Sequence, residues 1–262
     1  MPLTLRDLLG LNGKKALVVG GGLGIGRASA RMLAIAGASV AVADVDGERA
    51  AAVATELTAS GSRSVAVTAD VMDKAGASRV IEAAATELGD LDVMVNIVGR
   101  TSRAPLVDLS DEMFDLDINR NFRHVLRCGQ VFTRHLIARN HGGVIVNMAS
   151  VSGLFAATET PTYGAAKAAV IALTKTMAQQ WAPHGIRVNC IAPGSIRTDR
   201  SVGTPENDAV LESVIPMGRR GHQDEVAKVV LFLASDLSSY VTGDVIVIDG
   251  GLTSRDPFPH PM

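Results

Sequence analysis

The sequence predicts an α/β chain: a single doubly wound domain around a seven-stranded parallel sheet with helices on both faces. Three observations predict it. Short apolar runs rich in Val, Ala and Ile recur at 15–20, 39–43, 64–68, 91–95, 143–148, 186–191 and 244–248, and continuous rather than alternating apolarity marks strands covered on both faces. The intervals carry helical periodicity and are long enough for right-handed crossovers between parallel neighbours. Finally, Gly20, Asp44, Asn96, Ser150 and Pro193 all fall at the carboxyl ends of these runs, the edge where open α/β sheets bind ligands. At 262 residues the chain can bury one large core, and residues 1–262 read as one domain.

The first element sets a ligand class. Lys15-Ala16-Leu17-Val18-Val19 runs into Gly20-Gly21-Gly22-Leu23-Gly24-Ile25-Gly26 and then a helical pattern from Arg27 to Ala36. Glycine serves where the backbone turns tightly and approaches a ligand without a Cβ in the way. A helix opening there offers unpaired N–H groups and a positive dipole end to a pyrophosphate. A glycine cluster alone is a structural turn; the flanking strand and helix favour a dinucleotide site formed by Gly20, Gly22, Leu23, Gly24, Ile25 and Gly26. The spacing, Gly-x-x-x-Gly-x-Gly, differs from the commoner Gly-x-Gly-x-x-Gly.

The second strand ends at Asp44, where a carboxylate hydrogen-bonds an adenosine ribose and repels a 2′-phosphate. Neither Val45 nor Leu23 supplies a cation for such a phosphate, so NAD is favoured over NADP. The other reading of Asp44 is a cap on the following turn.

Farther on, Tyr163-Gly164-Ala165-Ala166-Lys167 places a phenol and an ammonium on one helix face. A phenol with its ordinary pKa of about 10 is a poor base at neutral pH, and a neighbouring cation favours the phenolate. That spacing also arises in amphipathic helices with no chemistry to perform. Its company is what counts.

In order along the chain, the motifs resemble the short-chain dehydrogenase/reductase family from about Gly13 to Leu252. They are the glycine turn, Asp70-Val71, Asn96-Ile97-Val98-Gly99, Asn119, Ser150, Tyr163 with Lys167, Ile186-Arg187-Val188-Asn189 running to Pro193-Gly194, and Ile248-Asp249-Gly250-Gly251. The resemblance implies a Rossmann-type, NAD(H)-dependent enzyme interconverting a secondary alcohol and a ketone. It implies that Tyr163 is the general acid/base, that Lys167 lowers its pKa and holds the nicotinamide ribose, that Ser150 polarises the substrate oxygen, and that Asn119 seats a water in a proton relay. It extends the cofactor contacts to Val45, Asp70, Val71, Asn96, Val98, Gly99, Pro193, Gly194, Ile196 and Thr198. Three positions depart from the pattern. Val19 replaces a threonine that ties the turn to the strand carrying Asn96, so backbone groups or packing must hold that contact. Ile97 replaces a second asparagine, and Asn121 stands where glycine is common. None of these is a proposed proton-transfer group.

Composition narrows the alternatives. The net charge of −2 and the lack of a basic stripe argue against a nucleic-acid partner. Arg120, Arg123 and Arg127 read as a solvated or subunit-facing surface beside Asp117. Cys128 and Cys190 read as small apolar residues, and His124, His135, His141 and His184 show no ligand spacing, so no metal site is expected. No membrane span or signal-peptide core is apparent, and a cytoplasmic protein is expected.

Arg100 to Arg103, Leu154 to Thr160 and a substrate lid over 195–217 are the expected pocket lining, with Arg100, Arg103 or Arg200 as candidate ligands for an acidic substrate. The tail, 253–262, holds three prolines and cannot extend the sheet as a regular strand. The helix from Thr162 to Gln180 is apolar on more than one side, which together with the resemblance implies a homotetramer. Two other functions are a 3-oxoacyl-thioester reductase and a catalytically silent NAD-binding sensor or scaffold.

Overall fold

A computed structural model describes residues 4–73, 75–199 and 205–254. Strands β1 (Lys15–Val19), β2 (Ser39–Asp44), β3 (Ser64–Thr68), β4 (Val93–Asn96), β5 (Gly143–Met148), β6 (Ile186–Pro193) and β7 (Val245–Ile248) form one parallel sheet in the order β3-β2-β1-β4-β5-β6-β7. The chain winds outward from β1 to β3 and then returns to β4, so the winding reverses between β1 and β4. A crevice opens there at the carboxyl edge.

Successive side chains of a strand face opposite ways, and the core divides accordingly. Ala16 and Val18 of β1 pack towards helices α1 (Gly24–Ile35), α2 (Gly47–Ala59) and α8 (Gln223–Ala234). Leu17 and Val19 pack towards α3 (Gly76–Leu88), α5 (His124–Ile137) and α6 (Pro161–Trp181). The central strands are buried on both faces, which explains why they read as unbroken apolar runs. Cys128 and Cys190 are free and buried in these layers, and burial pushes their thiols up to about 12 and about 11.

Side chains cap three of the helices. Asp46 accepts from Arg49 N at the start of α2, and Ser110 accepts from Met113 N at the start of α4 (Asp111–Ile118). His222 and Glu225 form a reciprocal box at α8. Helices α1, α3, α5 and α6 have no side-chain cap among the described residues, and Leu23 sits at the N-cap of α1. Between α4 and α5 the chain makes a π-helical turn, Asn119–Arg123.

Of the expected lid, the described part contains a two-residue parallel pairing of Ile196–Arg197 with Gly221–His222, and helix α7 (Pro205–Val214) between them. Arg220 pins its base: it donates to Ser195 Oγ and Ile196 O at 3.0 Å each and pairs with Asp208 at 2.7 Å. Arg200 and residues 255–262 of the tail lie outside the described residues.

Polar groups also register the central strands. Asn96 and Asn147 are neighbours across β4 and β5; Asn96 Nδ2 donates to Asn147 Oδ1 at 2.9 Å, and Asn147 Nδ2 donates to Thr174 Oγ1 of α6 at 3.0 Å. Val19 lies beside Asn96 in register, and Ile97 N donates to Val19 O at 2.9 Å, so backbone holds the contact usually made by a threonine. The substitution still leaves a mark, because Asn96 Oδ1 is buried with no partner among the described residues. Val19→Thr is expected to supply the missing donor and stabilise the fold by about 1 kcal/mol, raising Tm by roughly 2–4 °C. An unchanged or lower melting temperature would show that the hydroxyl does not reach Asn96.

Candidate active site

A cavity of about 1130 Å³ follows the crevice at the carboxyl edge. Of the expected residues, Gly20, Leu23, Gly24, Ile25, Asp44, Val45, Asp70, Val71, Val98, Gly99, Ser150, Tyr163, Lys167, Pro193, Gly194, Ile196 and Thr198 line it. Gly22, Gly26, Asn96 and Asn119 stand behind that lining. Leu154 to Thr160 do not reach it; Leu154, Phe155 and Ala157 border a separate cavity of about 300 Å³ with Pro161 and Gly164. The chain makes a 3-10 turn at Val151–Gly153 directly after Ser150, and that turn carries the following residues away.

At one end the glycine turn forms a cradle that side chains would fill. Gly20 has φ +85°, and a Cβ on it would lie 3.1 Å from Val98 N. A Cβ on Gly26 would lie 1.9 Å from Gly20 O, so only glycine lets α1 pack against the turn. Gly24 and Ile25 at the uncapped start of α1 line the cavity, where a helix N-terminus suits an anion. Gly24 has φ +55° and packs close to Thr198.

Asp44 is 7% exposed, and its carboxylate accepts from Gly22 N at 3.0 Å and from Asp46 N at 3.1 Å. Asp44 therefore caps the turn and also lines the cavity. Two backbone donors hold the charge in place. Arg49 also lines this end, paired through Nε with Asp46 at 3.0 Å. Sequence spacing did not expose it, because α2 brings it back over Gly22 from five residues beyond Asp44. The glycine cradle, the open helix end and the fixed carboxylate suit a dinucleotide's pyrophosphate and ribose.

The other end holds the candidate chemistry. Pro161 opens α6, and Tyr163 and Lys167 stand one turn apart near its start. Lys167 is buried, donates from Nζ to Met148 O at 2.9 Å, and lies 5.6 Å from the Tyr163 ring centroid. Burial pushes its ammonium down to about 8, so it remains mostly charged at neutral pH. Burial pushes the Tyr163 hydroxyl up, and a hydrogen bond with Ser150 opposes that rise. The lowering of Tyr163 by Lys167 that the resemblance implies is thus not the main influence here, since Nζ is committed to a carbonyl and faces the ring. Ser150 Oγ accepts from Ser152 N at 3.2 Å and lies 3.5 Å from Pro193 O, which aims it across the cavity from β5.

The family model described as enoyl-(acyl carrier protein) reductase matches residues 20–253. The chain belongs to the short-chain dehydrogenase/reductase family. It is 40% identical over 244 residues to a 3-oxoacyl-(acyl-carrier-protein) reductase of Thermotoga maritima, covering 92% of this chain and 98% of the relative. It is 39% identical over 241 residues to a cis-4-hydroxycyclohexanecarboxylate dehydrogenase of Sinomonas cyclohexanicum, covering 91% and 96%. A solved short-chain type dehydrogenase/reductase from Mycobacterium marinum, 37% identical, superposes with a TM-score of 0.91 over 96% of this chain and 100% of that one. This is a family of oxidoreductases that bind a nicotinamide cofactor.

In this short-chain dehydrogenase/reductase Asn121 and Lys167 both crowd Gly99: a Cβ on Gly99 would lie 3.0 Å from Asn121 Oδ1 and 3.2 Å from Lys167 Nζ. Asn119 starts the π turn, and its Oδ1 is buried with no partner. His124, where the turn ends, is buried, and burial pushes it down to about 3 against the opposing pull of the Asn119 and Arg120 backbone; it stays neutral. The arginines expected on a solvated face also divide: Arg123 is exposed, Arg127 donates to Met72 O at 3.1 Å, and Arg120 lines the cavity.

Proposed function

We propose that this enzyme interconverts a secondary alcohol and a ketone with NAD as its cofactor. The observation that carries the reading is the convergence of Tyr163, Ser150 and Lys167 at one end of a cavity whose other end holds Asp44 by two backbone donors. When bound, the nicotinamide supplies the hydride acceptor or donor. Ser150 directs its hydroxyl at the substrate oxygen and steadies charge developing there. Tyr163 takes or returns the hydroxyl proton. Lys167 keeps a positive charge beside the ring, and Asn121 holds the Gly99-Arg100 backbone against it. The buried oxygen of Asn119, without a partner among the described residues, supports the expected water seat.

The test is NADH formation by purified protein across secondary alcohols, sugar acids, steroids and hydroxyacyl thioesters, with Tyr163→Phe in parallel. Turnover that disappears in the variant supports the reading. Tight cofactor binding without turnover of any compound would sink it in favour of a silent sensor. A second reading, 3-oxoacyl-thioester reduction, draws support from the Thermotoga maritima relative and predicts faster reduction of acyl thioesters than of simple ketones.

Cofactor choice has its own test. A 2′-phosphate beside the fixed Asp44 carboxylate meets like charge, so NAD⁺ is expected to exceed NADP⁺ in kcat/KM. Asp44→Asn should narrow that ratio by about tenfold, equivalent to about 1.4 kcal/mol. A ratio unmoved by the substitution would remove Asp44 from cofactor selection.

We also propose a homotetramer. Phe114 and Leu116 of α4 are exposed, as are Ala165, Ala168 and Ala172 of α6, and this supports pairing through those helices. Light scattering at micromolar concentration is expected to give four times the chain mass; a monomer would refute the assembly.

A further inference from the structure

The loop leaving β4 carries Arg100 and Arg103 to the mouth of the cavity, and polar side chains fasten it twice. Buried Asn121 accepts from Arg100 N through Oδ1 at 2.9 Å and donates from Nδ2 to Arg100 O at 3.0 Å. Ser102 Oγ donates to Asp117 Oδ1 at 2.8 Å, and Thr162 Oγ1 donates to Asp117 Oδ2 at 2.5 Å. Asp117 is fully buried and has no ion pair among the described residues. Burying a carboxylate is costly unless its hydrogen bonds repay it, and here those bonds join the arginine loop to the residue before Tyr163. The loop and the catalytic phenol therefore form one rigid unit.

The guanidinium groups are the uncommitted part of that unit. Arg100's side chain has no partner among the described residues. Arg103 meets only Glu159, at 3.3 Å, with side chains 77% and 73% exposed, a pair that water and salt weaken. Glu159 lies four residues before Tyr163, so this arginine too stands at the reacting end. The carboxylates lining the cavity, Asp44 and Asp70, follow β2 and β3 at the opposite end. Apart from Arg49 beside Asp44, the remaining charged lining, Lys167, Arg100, Arg103 and Arg120, is all positive.

We propose that Arg100 and Arg103 form an anion-recognition arm, and that the substrate carries a carboxylate or phosphate remote from its carbinol carbon. The arm rests on the structure; its role in substrate choice rests on the dehydrogenase reading above. Guanidinium groups present planar, paired donors that match both anions, and the fastened backbone reduces the ordering cost of binding. The anion has two chemical sources: the carboxylate of a small hydroxy acid, or the phosphates of a coenzyme A thioester.

Calorimetric titration distinguishes them. Protein saturated with NAD⁺ or NADP⁺, each in turn, is titrated with cyclohexanecarboxylate against cyclohexanecarboxamide, and with coenzyme A against pantetheine. In at least one pair the anion is expected to bind tenfold or more tightly than its neutral partner, and the pair that discriminates names the source. In an Arg100→Gln, Arg103→Gln double variant, whose melting temperature is checked against the parent, that ratio should fall to about one. Ratios near one in both pairs, or a ratio that survives in the double variant, would overturn the arm. Turnover of cyclohexanol and 4-hydroxycyclohexanecarboxylate is followed separately. Equal use of both, with no binding preference, leaves the dehydrogenase standing and removes the arm; selective binding without turnover does the reverse.

Discussion

Tyr163→Phe is expected to lower kcat by about 10²–10⁴-fold, the usual contribution of a positioned acid/base group, which corresponds to roughly 3–5 kcal/mol of barrier. Phenylalanine keeps the ring, so packing beside Lys167 and cofactor affinity should change little. The loss should therefore appear in kcat and not in the cofactor's dissociation constant. Ser150 gives this prediction a second edge. Its hydrogen bond opposes the rise that burial imposes on the Tyr163 hydroxyl, so Ser150→Ala should let that pKa climb further. Alcohol oxidation needs the phenolate, and its activity rises with pH as the phenol ionises; in the Ser150→Ala variant this limb should move to higher pH. A limb that stays in place would mean that another group sets it.

Gly26→Ala should be the most damaging single-methyl change in the cofactor end. The added Cβ would stand 1.9 Å from Gly20 O, and the atom it meets is backbone held by the turn, since Gly20 N and Gly21 N both donate to Ala43 O. Overpacking a well-ordered site costs about 1–3 kcal/mol when side chains can yield, and here the helix itself must move. A fall in Tm of roughly 4–12 °C is expected, together with a loss of cofactor affinity of about 100-fold or more as the N–H groups at the start of α1 swing off the phosphate position. Fluorescence titration and a thermal melt read both effects. If both values match the parent, the contact between turn and helix is softer than its geometry indicates.

The strands were legible because a parallel sheet covered on both faces demands uninterrupted apolar runs, and each observed strand lies within two residues of its expected limits. Gly20, Asp44 and Ser150 were legible for a related reason: strand ends fix where a residue stands relative to the crevice edge. Tyr163 and Lys167 were legible from their four-residue helical spacing and the motifs around them. Other residues that enter the cavity from a helix were not. Arg49 and Arg120 line it through turns of helix whose phase relative to the sheet no local pattern states. Asn121, which fastens the backbone of Arg100, was noted only as a departure from the family pattern, because nothing in the residues from 111 to 137 announces a π turn. The consequence of Val19 was half legible: the lost hydroxyl was expected, but the orphaned oxygen on Asn96 needed the register of β1 against β4.

That π turn acts as a phase shifter. An α-helix advances about 100° per residue, so one residue of excess in a turn rotates everything after it by about that angle relative to everything before. Asp117 and Asn121 can then look towards the loop and the catalytic helix, while Val125, Cys128, Phe132 and Leu136 look into the sheet. A rod of uniform pitch could not serve both directions. Its length, counted in single residues, is therefore under tighter constraint than its composition: removing one residue between 119 and 123 would preserve a helix and misalign one of its two clients.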